Sequence, residues 1–452
     1  MKPSRYNFIW PAEHTDNMLI YNSMTGGLVE TEKTCVDLLS AAWIDYNSLS
    51  PHEKQFIDCM KQGGFVIDDI VDELLILKKL YNSSKYSRSK LSLTIAPTMQ
   101  CNFDCIYCFE HPGEAEKNRD DKVMSETVQQ ALLEFITNKA NTIDRLLIYW
   151  YGGEPLLQKD LIFALSKKMI DIAAQNKIAY YAKMVTNGYL IAHDPKIIHK
   201  LKDSKITSLQ ITLDGPPEVH NRRRMLKGSH KPTFDRILQG IKLLEEEGFD
   251  VTLRINTDKT NMDDTYKLLD ILSDNDLKNV RIYLGFVTAD TPGCHDYQCN
   301  TLSLEKARHL ILDFYKTLLL KQFNMEKTRF YPRLIGACGA GTLDEYVISP
   351  DGDMYKCWKE IGRKEASVGN ITSFKTRSNS QRMHEIRWLL REPFADDHCP
   401  ECKMLPICMG GCGFPEIVNG QRIKCNPSDD YLEQIIKTPC YLKKTSCKRD
   451  VT

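Results

Sequence analysis

No stretch of this 452-residue sequence runs to about 18 consecutive apolar residues, so nothing in it reads as a membrane-spanning helix. The opening residues, Met1-Lys2-Pro3-Ser4-Arg5, lack the apolar segment of a secretory signal, and the expected location is cytoplasmic. An excess of either charge is missing as well. Lys and Arg together number 60 and Asp and Glu together number 60, so no global field draws the chain toward nucleic acid or an anionic membrane. Any partner must be recognised locally. Fixed-period repeats and long low-complexity tracts are also absent. Cysteine, by contrast, is plentiful: there are 16. In a short secreted chain that number would mean a disulfide framework, but this chain is long and its cysteines bunch at ligand spacings, which favours metal.

Three compositional zones organise the chain. Residues 1–85 read as a small α+β module. Met18 to Tyr21 and Leu28 to Glu30 flank a Thr25-Gly26-Gly27 turn, a β-hairpin pattern. Ser50, Pro51 and Glu53 supply a capping residue, a first-turn proline and a capping-box acid for a helix that Gly63-Gly64 ends. Phe65 to Ile67 is a short strand and Asp68 to Tyr81 a second helix. From 91 to 320, apolar strands at Leu91–Ala96, Leu146–Tyr151, Ala182–Thr186, Ser208–Leu213, Val251–Asn256 and Val280–Phe286 alternate with helical stretches. Strands separated by helices imply parallel crossovers, so the expected class is α/β, with a partial, TIM-like (β/α)6 barrel whose function sits at the strand C-terminal ends. From 330 to 452 the pattern turns to hairpins, short helices and cysteines, with a hairpin around Pro350-Asp351-Gly352-Asp353 and too few apolar runs for an ordinary core. Metal clusters could hold that zone instead.

Cys101, Cys105 and Cys108 follow the first barrel strand with the spacing C-x3-C-x2-C. Three thiolates on one loop can ligate three irons of a [4Fe-4S] cluster and leave the fourth open to a ligand. A zinc knuckle, or three unrelated cysteines, are the plainer alternatives. With Tyr107 before the last cysteine, the loop resembles that of the radical S-adenosylmethionine (SAM) superfamily. The resemblance implies that SAM chelates the open iron and is cleaved to a 5'-deoxyadenosyl radical that abstracts hydrogen from the substrate. Gly152-Gly153-Glu154-Pro155, after the second strand, is similar to the family's SAM-binding glycine element. Thr186-Asn187-Gly188 and Thr212-Leu213-Asp214-Gly215-Pro216, with His220 and Arg224, resemble its ribose, carboxylate and substrate-mouth elements. Local turn chemistry accounts for the same Asn-Gly and Asp-Gly pairs. Tyr107, Gly152, Gly153, Glu154, Asn187, Thr212 and Arg224 are the expected cofactor-binding residues, with Asn256 a weaker candidate.

Cys338 precedes Gly352 and Cys357, and Cys399, Cys402, Cys408 and Cys412 follow as C-x2-C-x5-C-x3-C, with Cys425 beyond. A double zinc ribbon is the plainer alternative, but these spacings are not the paired C-x2-C usual in zinc ribbons. The whole pattern resembles the SPASM domain of radical SAM enzymes. The resemblance implies two auxiliary [4Fe-4S] clusters, the outer on Cys399, Cys402, Cys408 and Cys425 and the inner on Cys338, Cys357 and Cys412, which with the SAM-binding cluster makes three. Some members supply a fourth inner ligand where this sequence has Asp344, so an open inner iron that binds a substrate thiolate is expected unless Cys294, Cys299, Cys440 or Cys447 completes the cluster. Cys35 and Cys59 read as small buried hydrophobes.

The N-terminal module resembles the winged-helix-like element that captures leader peptides of ribosomally made natural products by pairing an extended segment to a strand edge. Through Lys85 it carries eight basic and twelve acidic residues, which opposes DNA binding. Taken together, the chain is similar to radical SAM/SPASM peptide maturases of the thioether-forming kind. Its implied partners are a ribosomal precursor peptide bound through its leader and an external flavodoxin- or ferredoxin-like donor. Carbon-carbon crosslinking, epimerisation, excision and formylglycine formation are the alternatives. The last uses an acid after the second SPASM cysteine, where this chain has Trp358.

Overall fold

Short antiparallel strands begin the chain in the computed structural model, which describes residues 1–13, 15–108, 110, 122–289, 297–328, 332, 334–420 and 428–447. Strand β1 (Lys2–Pro3) pairs with β5 (Val66–Ile67), and β2 (Asn7–Pro11), β3 (Asn17–Asn22) and β4 (Leu28–Glu32) form a sheet in the order β2-β3-β4. The hairpin turn falls where the glycines allow it: Gly26 has φ +74° and the Asn22 amide donates to the Gly27 carbonyl at 2.9 Å. The helix Pro51–Gln62 carries its full capping box. The Glu53 amide donates to Ser50 Oγ at 3.3 Å and the Ser50 amide to the Glu53 carboxylate at 2.7 Å. A second helix runs Glu73–Lys85.

These elements share one compact unit, Met1–Tyr86, Arg329–Cys338 and Arg391–Thr452, with the C-terminal segment. Phe8, Trp10, Leu19 and Tyr21 of the sheet pack on Leu432 and Ile436 of the helix Asp429–Cys447. Tyr6, Leu77 and Tyr81 pack on Leu405 and Met409. Lys85 is wholly buried and donates to the Arg391 carbonyl at 2.8 Å.

The other unit, Ser87–Thr328 and Gly339–Leu390, is built on an open sheet. Its strands are β6 (Lys90–Ile95), β8 (Arg145–Trp150), β9 (Ala179–Val185), β10 (Ile206–Thr212), β12 (Asp250–Thr257), β13 (Arg281–Phe286), β14 (Glu345–Ile348), β15 (Asp353–Tyr355) and β16 (Gly369–Asn370). Their order is β13-β12-β10-β9-β8-β6-β14-β15-β16, parallel from β13 to β14 and antiparallel beyond. A separate short pair joins β7 (Phe103–Cys105) to β11 (Arg224–Leu226). One face of the large sheet, with Leu93, Ile148, Ile211 and Leu253 all at 0% exposure, packs under helices such as Glu126–Lys139 and Phe234–Glu246. Burying each such side chain contributes about 1.5–3 kcal/mol, so this apolar layer is what fixes the parallel register. The hairpin read around Asp351-Gly352 is present as β14 and β15, but β14 extends the large sheet by pairing with β6, and Ile348 and Met354 lie in its core.

Candidate functional site

The register places the C-terminal ends of β6, β8, β9, β10 and β12 along one edge, and the cysteine loop leaves from β6. Its geometry is set by β-pairing: Cys105 lies opposite Arg224 and Phe103 opposite Leu226. The Ile106 amide donates to the Arg223 carbonyl at 3.2 Å and the Lys227 amide to the Asn102 carbonyl at 2.8 Å. Cys105 is buried, and Cys101 and Cys108 are partly exposed. Burial, with the Glu154 carboxylate adding to it, pushes the Cys101 thiol up to about 12. The thiols of Cys105 and Cys108 are raised chiefly by burial too.

Gly152 and Gly153 let the chain after β8 press against the backbone leading into this loop. A Cβ on Gly152, at φ +116°, would stand 2.3 Å from the Thr98 carbonyl oxygen, and one on Gly153 would stand 2.3 Å from that of Gln100. Glu154 is fully buried and both its oxygens are engaged by the chain itself. Oε1 accepts from Thr186 Oγ1 at 2.7 Å and the Leu156 amide at 3.0 Å, and Oε2 accepts from the Asn187 amide at 2.7 Å. Burial raises its carboxyl, and these three donors oppose the rise. The Asn187 side-chain amide donates to Asn102 Oδ1 at 2.7 Å, tying the turn after β9 to the cysteine loop.

Tyr107 is the hub on the other side. Its hydroxyl is bound to Asp214 Oδ2, accepts from Arg224 Nη1 at 2.9 Å and accepts from Asn256 Nδ2 at 3.0 Å. The Arg223 guanidinium lies 4.9 Å from the Tyr107 ring centroid and pairs with Asp258 at 2.8 Å. His220 is buried, accepts at Nδ1 from the Asp214 amide at 3.2 Å and contacts Thr233 Oγ1 through Nε2 at 3.1 Å. Burial and the two arginines hold it well below the usual imidazole range. Thr212 ends β10 opposite Arg254. Asp214, Arg223 and Asp258 have structural parts here that the sequence reading did not assign. Asp258 follows directly on β12, a position that could have marked it.

Among the array cysteines, Cys357 precedes the short helix Trp358–Glu360, and its amide donates to the buried Glu360 carboxylate at 3.2 Å. Glu360 also accepts from Trp388 Nε1 at 3.1 Å and contacts His384 Nε2 at 2.7 Å. Asp344 is engaged by Lys139 at 2.6 Å. In the first unit, Cys399 opens the turn Cys399–Glu401, Cys402 follows it, and Cys408 and Cys412 are exposed on either side of a bend whose Gly410 carbonyl accepts from Arg391 at 2.7 Å. Cys299 is exposed and Cys35 is buried, but Cys59 is exposed on the helix Pro51–Gln62, which corrects its reading as a buried hydrophobe. Cys425 and Cys294 lie outside the described residues, as do the side chains of Cys440 and Cys447.

The donors around the loop fit a [4Fe-4S] cluster with SAM on its open iron. Among the described residues, no three Cys, His, Asp or Glu side chains converge closely enough to hold a single metal ion, whereas the thiolates of a cubane each bind a different iron and stand farther apart than the ligands of one ion. The positive charge of iron would favour the thiolate form that the surroundings of these three cysteines oppose. Two buried polar atoms near the loop, Arg224 Nε and Glu110 Oε1, have no hydrogen-bond partner. That is one donor and one acceptor, the complement of an amino-acid headgroup in kind.

Residues 95–281 match the sequence model of the radical SAM superfamily. This part of the chain is a radical SAM domain. Fe-coproporphyrin III synthase of Methanosarcina barkeri is 28% identical over 190 residues, 41% of this chain and 42% of that protein. PqqA peptide cyclase of Granulibacter bethesdensis is 23% identical over 330 residues, 70% of this chain and 80% of that protein. The chain spans only 42% and 50% of the length of the first two curated relatives it matches. Native anSMEcpe with bound AdoMet and Cp18Cys peptide superimposes with a TM-score of 0.56 at 19% identity, covering 80% of this chain and 100% of that one. Streptococcus suis SuiB bound to precursor peptide SuiA gives 0.50 at 16%, covering 91% and 95%. At these identities the likeness is one of fold: the α/β radical SAM fold with its parallel sheet. Among the described residues no helix is long and apolar enough to cross a membrane.

Proposed function

We propose that this chain is a radical SAM peptide maturase that works in the cytoplasm. The observation that carries the reading is the C-x3-C-x2-C loop held at the C-terminal edge of the parallel sheet of a radical SAM domain, with Glu154, Asn187, Tyr107 and Arg224 bound around it. Cys101, Cys105 and Cys108 would hold the cluster, and SAM, when bound there, would supply the 5'-deoxyadenosyl radical that removes hydrogen from the substrate. Gly152 and Gly153 give the loop its close backbone seat. Glu154 orients the turn that carries Asn187. Arg224, with a free buried Nε, would meet the SAM carboxylate.

Peptide as the substrate class is supported by relatives and solved structures whose names refer to peptides. Residues 1–85, read as a winged-helix-like leader-binding domain, offer β4 and β2 as sheet edges. Residues 91–320 are read as the barrel and 330–452 as the SPASM domain with two auxiliary clusters on Cys338, Cys357, Cys399, Cys402, Cys408, Cys412 and Cys425. The bond formed is read as a thioether between a peptide cysteine and a carbon. What supports it is Asp344, whose carboxylate is paired with Lys139 at 2.6 Å and so is not offered as a fourth inner ligand. A flavodoxin- or ferredoxin-like protein would deliver the electron.

The test is anaerobic reconstitution with iron and sulfide, then mass analysis of a cysteine-bearing peptide encoded beside this chain. A thioether removes two hydrogens and blocks thiol alkylation. A crosslink that leaves every thiol alkylatable means a carbon-carbon bond, deuterium uptake without mass loss means epimerisation, and a formylglycine product means the sulfatase-type reaction. Any of these would replace the thioether. An unchanged peptide in the presence of SAM cleavage would remove the peptide reading itself.

A further inference from the structure

The sheet face not covered by helices carries Tyr149 on β8, Lys183 on β9, Gln210 on β10, Arg254 on β12 and Tyr283 on β13. The registers Tyr149↔Lys183, Thr212↔Arg254 and Arg254↔Tyr283 put them on one side. The Arg254 guanidinium is fixed there. Its Nε donates to Asn256 Oδ1 at 2.7 Å, its plane lies 5.8 Å from the Tyr283 ring centroid, and the Tyr283 hydroxyl donates to Gln210 Oε1 at 2.8 Å. It rests against bare backbone: a Cβ on Gly285 would stand 2.5 Å from its Nε and 2.8 Å from its Nη2. Among the described residues no acceptor meets Nη1 or Nη2, and Arg254 forms no ion pair. Two acids on this face are already engaged, Asp250 with Arg281 at 3.8 Å and Glu345 with Lys90 at 3.5 Å. Among the described residues Arg254 and the exposed Lys183 are cations without an ion-pair partner.

We infer that Arg254 is a substrate-positioning residue that binds a carboxylate of the peptide, an acidic side chain or the chain end, through its two terminal nitrogens. A planar fork with both outer nitrogens unspent takes a carboxylate in bidentate fashion. The inference rests on the peptide reading. It names the peptide rather than SAM as the source because of depth. Asn256 holds the Tyr107 hydroxyl at the cysteine loop, and Arg254 leaves β12 two residues, about 7 Å, before Asn256, its Nε reaching forward only to Asn256 Oδ1. A ligand on the irons is served by Arg224, which pairs directly with the loop strand. A carboxylate on Arg254 would hold the neighbouring peptide carbon toward the strand ends where hydrogen is removed.

The test uses the full chain, reconstituted anaerobically, and three synthetic pentapeptide pools with randomised flanks: central Glu with amidated ends, central Gln with amidated ends, and central Gln with a free C-terminus. Binding is read by saturation-transfer NMR titration, and SAM binding by equilibrium dialysis with labelled SAM. Wild type should bind the Glu pool or the free-acid pool about tenfold tighter than the amidated Gln pool. Arg254→Gln should erase the preference and leave SAM binding intact. Gly285→Ala should also erase it by displacing only the end of a flexible side chain, with an unchanged circular dichroism melting curve. The inference is overturned if Arg254→Gln keeps the preference. It is also overturned if all pools bind wild type equally, which leaves the peptide reading standing. Binding of no pool also overturns the inference, and the mass analysis of the full precursor decides the peptide reading separately. Loss of SAM binding in Arg254→Gln with peptide preference unaltered would assign the carboxylate to SAM.

Discussion

The two cysteine regions of this chain are supported in opposite ways. Around Cys101–Cys108 the protein supplies the scaffold: β7 pairs with β11, Asn187 reaches Asn102, and the Tyr107 hydroxyl ties the loop to Asp214, Arg224 and Asn256. Around Cys399–Cys412 the backbone runs through short turns, with Cys408 and Cys412 exposed and Arg391 bracing the bend between them. The first region is held by the protein's own pairings. The second has little regular structure of its own to hold it, so the metal proposed for it would act as structure rather than chemistry.

Iron removal breaks that comparison most sharply. Chelation under oxidation should render residues 391–420 sensitive to limited proteolysis, while the barrel unit resists and its melting temperature moves by only a few degrees. Equal protection of both regions without iron would contradict the contrast. A smaller effect is expected from Tyr107→Phe, which strips the hydroxyl from buried Asp214 and Arg224 and partly buried Asn256 and should destabilise the parallel-sheet unit by about 2–3 kcal/mol in denaturant unfolding.

His220 offers a pH test confined to the preorganised region. Its folded pKa lies well below the ordinary value, so below pH about 6.5 the unfolded chain binds a proton that the folded chain does not. Stability should therefore fall as pH drops below about 6.5, by about 1.4 kcal/mol per pH unit from this group. His220→Gln should flatten that slope. The smallest change is expected from Arg391→Met, about 1 kcal/mol in the unit that holds the array, because its hydrogen bonds to Gly410 and Glu416 are partly exposed.

Much of the parallel sheet could be read in the sequence because its strands are apolar runs separated by helical stretches. All six expected strands are present within a few residues of their expected ends. The capping box at Ser50 and the hairpin at Gly26-Gly27 are equally local signals, and both are there. The pairings between distant segments were not legible. Nothing in Asn7–Pro11 announces a strand whose Phe8 and Trp10 pack on Leu432 and Ile436, and nothing in Glu345–Ile348 says that it joins β6. The site shows the same division. The cysteine spacing named the loop, and Tyr107 and Arg224 were singled out by pattern. The partners that fix them, Asp214, Asn256, Arg223 and Asp258, come together only because separate strands end at one edge of the sheet.

The most direct test is SAM cleavage by the anaerobically reconstituted, dithionite-reduced chain. Wild type should release 5'-deoxyadenosine, Cys105→Ala should lose at least a thousandfold of that rate, and Cys408→Ala should keep SAM binding at the barrel. Release of the nucleoside by Cys105→Ala at the wild-type rate, or no iron and labile sulfide bound by the Cys101–Cys108 loop, would contradict the account.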